Sequence, residues 1–162
     1  MRNTVLHALN ADGKEVMGEL LAPLFATLAP GFEARAEELR VEAIRSQQPD
    51  FEVACSYIKG GVSFSLPVAK GYHPWIGSSR IRILCRMSIV PDIPCQDGKM
   101  TVRLGERTIT LKVQVMAKQG REVMSFRPIW DTALANKTVQ RTGASRSAHK
   151  TKRTSSAAGS RR

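Results

Sequence analysis

Apolar positions along this chain follow two periods. Val16, Met17, Leu20, Leu21, Leu24, Phe25 and Leu28 recur at helical spacing. Asp12 and Glu15 stand three apart in front of them, the spacing of a capping box, so the helix is expected to begin at Asp12. Pro23 lacks an N–H and crowds the preceding turn, which predicts a kink or two short helices. Pro30-Gly31 predicts the end. The polar side is too weakly basic for a membrane-surface helix, so the run reads as core-facing.

A period of two follows. Leu39, Val41 and Ala43 alternate with Glu38, Arg40 and Glu42. Phe51, Val53, Cys55 and Tyr57 alternate with Glu52, Ala54 and Ser56, and Val62, Phe64 and Leu66 with Ser63 and Ser65. Such strands put one face on a core and the other toward water. Gly60-Gly61 supplies the positive φ angles of a tight hairpin. Pro74 suits the first turn of a second helix, expected to run to about Ser88. Its spacing places Ile76, Ile83, Leu84 and Met87 on the core side, and Ser79, Arg82 and Arg86 on the solvent side.

Asp97-Gly98 reads as a turn before a fourth strand with Met100, Val102 and Leu104. Gly105-Glu106 turns it into a fifth with Ile109, Leu111, Val113 and Val115. Lys118-Gln119-Gly120 leads to a last strand, about Glu122 to Arg127. The expected fold is α+β over residues 1–130, a largely antiparallel six-stranded sheet with two helices packed on one face. Residues 131–162 are rich in Ser, Thr, Ala, Lys and Arg, a composition that predicts a disordered basic tail.

The net charge is +11. All 14 acidic residues precede Asn136, and residues 136–162 hold eight Lys or Arg. The remaining 17 basic residues leave residues 1–135 at only +3. Any nucleic-acid signal therefore lies in the tail, where no aromatic interleaves the charges for base stacking. Cys55, Cys85 and Cys95 are odd in number and form no C-x-x-C pair, which argues against a zinc or dithiol site and fits a reducing cytoplasm. His7, His73 and His149 have no partner at metal or triad spacing and read as structural or surface groups. No unbroken run of about 18 apolar residues occurs, so no membrane span is expected. The amino terminus lacks a basic region before an apolar run, so no signal peptide is expected either.

Four stretches carry a family resemblance. Ser79-Arg80-Ile81-Arg82-Ile83-Leu84 followed by Pro94-Cys95-Gln96-Asp97-Gly98-Lys99-Met100 looks like the S-R-I-K-x-[ML] helix and P-Q-D-G-R turn of the type II secretion and type IV pilus assembly ATPases, with Cys95 as one extra residue. Arg107-Thr108-Ile109-Thr110-Leu111-Lys112-Val113 is similar to their R-x-[IV]-x-[LF]-R-V strand. Ala36-Glu37-Glu38-Leu39-Arg40-Val41-Glu42-Ala43 is similar to A-S-D-[IL]-H-I-E-P, and Gly120-Arg121-Glu122-Val123-Met124 to G-E-[RK]-V-V. The match spans about residues 12–129 in family order.

The resemblance implies the PAS-like domain that precedes the RecA-like motor and swings against a neighbouring subunit in a hexameric ring. Its basic residues approach the bound nucleotide there. By position those are Lys99 and Lys112, which keep the charge but lack arginine's planar fork. The alternative is that they, with Arg103 and Arg107, are solvated strand or turn charges. Arg127 sits one position off the family pattern, which predicts the opposite sheet face unless a bulge intervenes. No G-x-x-x-x-G-K-[ST] loop occurs, so no ATP hydrolysis, cofactor or metal is expected on this chain.

The expectation is thus a truncated or divergent, non-catalytic cytoplasmic domain. It would dock on a full-length secretion or pilus ATPase or on its inner-membrane platform. Two rivals stand beside it: a small nucleic-acid-binding protein acting through its tail, and a gene remnant without activity. Thr138–Arg146 resembles a string that recurs at the ends of unrelated predicted bacterial proteins, which would make it translated repetitive DNA.

Overall fold

The computed structural model describes residues 6–130 apart from 11, 17, 46–50, 69–70 and 91–92; the expected tail lies outside the described residues. In chain order the elements are β1 (Leu6–Leu9), α1 (Gly18–Glu33), β2 (Glu38–Arg45), β3 (Phe51–Lys59), β4 (Val62–Leu66), α2 (Pro74–Leu84), β5 (Cys95–Leu104), β6 (Arg107–Lys118) and β7 (Arg121–Ile129). The seven strands form one open sheet in the order β1-β5-β6-β7-β2-β3-β4, every neighbouring pair antiparallel. The α+β class is as expected, but the strand count is seven rather than six. The additional strand, β1, is four residues long and has too short an alternation to show in sequence. Pairing with β5 across nearly a hundred residues defines it.

Both helices lie on one face. Leu39, Val41, Cys55, Met100, Val102, Ile109, Leu111, Val113, Val115, Met124 and Phe126 are buried on that side of the sheet. They meet Leu21, Leu24, Phe25, Leu28 and Phe32 of α1 and Ile81 of α2. Each such side chain contributes roughly 1.5–3 kcal/mol on burial. The alternation of these positions is why the expected inward faces of β2, β3, β5 and β6 match the structure.

The front of α1 differs from expectation. The helix starts at Gly18, and Asp12 does not cap it. Asn10 organises the preceding turn instead, its Oδ1 accepting the N–H groups of Asp12 (3.0 Å) and Lys14 (2.9 Å). This turn folds back on β1, where the Val16 N–H donates to the Ala8 carbonyl (3.0 Å) and Glu15 bridges Leu9. Pro23 and Pro30 both lie inside one continuous helix. Packing of Leu21, Leu24, Phe25 and Leu28 against the sheet outweighs the hydrogen bonds the prolines remove. The end is a Schellman motif: Arg35 takes φ 54°, its N–H donates to Phe32, and the Ala36 N–H to Gly31.

The phase of α2 is also corrected. Pro74, Gly77, Ser78, Ile81 and Arg82 are buried, whereas Ile76 and Ile83 stay 45% and 46% exposed. Gly77 packs against the ring of Tyr72, where an added Cβ would lie 2.5 Å from Cε2. The helix ends in a second Schellman motif at Arg86.

Asp97-Gly98 is not a turn. Both residues lie within β5, paired with Gln114 and Val113. Gly98 faces α2, and a Cβ would stand 2.8 Å from Cys85, so the glycine admits the helix end rather than bending the chain. Gly60-Gly61 does form the expected tight hairpin, with φ of 58° and 75°. Trp130 closes the described part, its indole N–H donating to the Ala36 carbonyl (3.0 Å) and its ring meeting Phe32 edge-on. No helix among the described residues is long and apolar enough to cross a membrane.

Candidate anion-binding face

Among the described residues the second face of the sheet carries no helix, and its polar positions fall in rows across the strands. One row reads Lys99 on β5, Lys112 on β6, Arg127 on β7 and Glu38 on β2. Lys99 pairs directly with Lys112, and Lys112 with Arg127. The next row reads Asp97, Gln114, Ser125 and Arg40. Asp97, Lys99, Lys112, Gln114, Ser125 and Arg127 line a groove of about 310 Å³.

The structure therefore brings together both residues singled out from sequence, and adds Arg127. The β6–β7 register runs without a bulge from Lys118↔Arg121 to Thr110↔Ile129, so Arg127 shares the face of Lys112. The expected turn to the opposite face does not occur. Across antiparallel partners Cβ atoms stand about 4.5–5.5 Å apart, so three cationic side chains can converge on one anion.

Their surroundings differ. Lys99 and Lys112 are exposed and form no ion pair among the described residues. Arg127 donates from Nε to Glu38 (3.0 Å), whose other carboxylate oxygen takes Arg40. Burial pushes the Glu38 carboxyl up, but hydrogen bonds from Arg40, Arg127 and Ser125 outweigh this and hold it below its ordinary value. Glu38 thus anchors one end of the row, leaving the lysine end uncompensated. Arg103 is held by Glu15, which also meets His7 (3.2 Å), and Arg107 lies on the helix side of the sheet end.

The conspicuous motif residues around Lys99 have structural work. Gln96 clamps the chain after α2: its Oε1 accepts the Ser88 N–H (2.7 Å) and its Nε2 donates to the Ser88 carbonyl (3.0 Å). Asp97 accepts a bond from Gln114 (3.0 Å) instead of shaping a turn.

Sequence reasoning missed the pair Arg82–Glu122. The guanidinium and carboxylate meet at 2.6 Å with both side chains 5% exposed. They lie between α2 and the sheet, at the floor of a second groove of about 340 Å³. Because Arg82 is enclosed and paired, it is not available to nucleic acid as a surface charge beside Arg86. Nearby, burial pushes the Cys55 thiol up to about 11 and the Cys85 thiol up to about 12, so both remain protonated at neutral pH. Among the described residues no group of three or more His, Cys, Asp or Glu could hold a metal ion.

No protein-family model matches this sequence, and no curated protein matches it either.

Proposed function

We propose that this chain is a non-catalytic accessory domain whose open sheet face receives a phosphate-bearing group presented by a partner. The reading is that of a PAS-like, pre-motor domain of the secretion and pilus ATPase type, docking on a full-length motor subunit or its platform. The supporting observation is the row Lys99–Lys112–Arg127. Like charges directly opposite one another weaken a sheet, so three cations on adjacent strands, two without a carboxylate, are a local cost that a bound anion would relieve. The rows beside them supply Gln114 and Ser125 as neutral hydrogen-bonding groups. A lining dominated by cations and neutral hydrogen-bonding groups suits binding of an anion.

The test is a titration of the full chain with ATP, followed by backbone NMR. Shifts should concentrate at Lys99, Lys112 and Arg127 and disappear in a Lys99→Gln/Lys112→Gln variant. Shifts confined to residues 136–162 would reject the site. They would favour the second reading, a nucleic-acid-binding tail, for which the eight uncompensated Lys and Arg residues speak. DNA affinity would then fall steeply with salt and vanish on deletion after Ala135.

A further inference from the structure

The two edges of the sheet are finished differently. At β1 the following segment folds over the edge: Val16 donates to Ala8, and Glu15 bridges Leu9. Among the described residues the opposite edge, β4, has no such cover. Val62, Ser63, Phe64 and Ser65 are all exposed, and Val62-Ser63-Phe64-Ser65-Leu66 contains no charge, no proline and no bulge. Natural proteins ordinarily blunt an edge of this kind, because its free N–H and C=O groups template another strand.

We propose that β4 pairs with β4 of a second copy of this chain, antiparallel and centred on Phe64, to make a two-fold dimer with a continuous sheet. The register follows from the hairpin. The two-residue Gly60-Gly61 loop makes Lys59↔Val62 the hydrogen-bonded pair beside the turn. Bonded and non-bonded pairs alternate from there, so Val62, Phe64 and Leu66 turn their backbone groups toward β3, while Ser63 and Ser65 turn theirs outward. Centring on Phe64 sets Ser63 opposite Ser65 of the partner copy, twice. Each pair exchanges two backbone hydrogen bonds.

The sequence around Phe64 is self-complementary in this register. Val62 meets the second copy's Leu66, and Phe64 meets its own equivalent at a non-bonded position, where side chains approach most closely. Phe64 already stacks on Tyr57, with centroids 4.9 Å apart and planes at 14°. The dimer extends this into a row of four aromatic rings across the junction. The helix layer leaves room, since Val62 and Phe64 remain 55% and 42% exposed on its side of the sheet. No like charges meet, because β4 carries none, and a two-fold axis makes the contact close on itself without growing into a fibre.

Sedimentation of the full chain at on the order of 100 μM should give a dimer of about 36 kDa, twice the 17.8 kDa chain. Ser65→Pro removes an outward N–H that β3 does not use, and Phe64→Lys places charges opposite each other. Both variants should sediment as monomers with an unchanged circular-dichroism spectrum. In a Cys95→Ser background, Phe64→Cys should cross-link on mild oxidation. Val62→Cys should not, because the two copies of residue 62 stand about 13 Å apart along the strands. A monomeric wild-type chain, a dimer that survives both edge substitutions, or equal cross-linking at the two cysteine positions would overturn the proposal.

Discussion

Charge is handled in opposite ways on the two sides of this sheet. Beneath α2, Arg82 and Glu122 are sealed from water and matched one to one. On the open face, Lys99, Lys112 and Arg127 stand side by side, with Glu38 as the one acid in their row and Asp97 in the next. A buried charge left alone costs several kcal/mol, so the first arrangement tolerates no missing member. Exposed charges are screened by water and salt, so the second can keep a surplus that stability alone would not select. The comparison separates charge that holds architecture from charge that is free to recognise.

The largest effect is expected at the sealed pair. Arg82→Asp leaves Glu122 buried and unpaired and sets a second acid against it. Stability should fall by about 3–5 kcal/mol in urea unfolding, enough to threaten the whole domain. Arg82→Met combined with Glu122→Leu should recover most of that loss, because no uncompensated charge remains. A double variant as unstable as the single one would show that packing, not charge, is what α2 needs there.

Acid should probe the boundary between the two regimes. The Glu38 carboxyl lies below its ordinary value of 4.5 in the folded chain. Its contribution is therefore present above 4.5 and lost as pH falls through the lower, native value. Glu38→Gln should lower the urea midpoint at pH 7 and flatten its decline below pH about 4.5. An unchanged acid limb would mean the carboxylate does not anchor the row.

Smaller effects belong to the open and solvent-facing positions. Ile83→Asp alters a half-exposed residue one position from Arg82 and should cost under about 1 kcal/mol. Lys112→Gln removes the cation that faces two others, so the melting temperature should hold or rise slightly, by the equivalent of about 0.2–1 kcal/mol, most at low salt. A marked loss would make Lys112 part of the architecture. Under native conditions maleimide should modify exposed Cys95 and spare Cys55 and Cys85, read as one adduct by mass spectrometry.

The strands from Leu39 to Phe126 were legible because their alternation is local and unambiguous. So were the Gly60-Gly61 hairpin and the cationic character of Lys99 and Lys112. The helix phase was not. The α2 sequence Pro74-Trp75-Ile76-Gly77-Ser78-Ser79-Arg80-Ile81-Arg82-Ile83-Leu84 has apolar residues all round, so periodicity offers several answers. Gly98 was misread because a glycine that permits a turn and one that permits close packing look alike in sequence. The site itself was half legible: two members were singled out, but Arg127 depended on a register that only the β6–β7 pairing supplies.

What the sequence determined by itself is a set of short-range choices: the longer extended segments, the apolar faces of β2, β3, β5 and β6, and the Gly60-Gly61 reversal. These depend on residues within a few positions of one another. Only the tertiary structure decided that Arg82 would lie inside with Glu122, 40 residues away, and that Ile83 would face water. It also decided that four residues near the start would become an edge strand, and that three cations on three strands would share one row. Each of these outcomes is fixed by a partner distant in sequence. The free energy of such a contact exists only once the partner is in place.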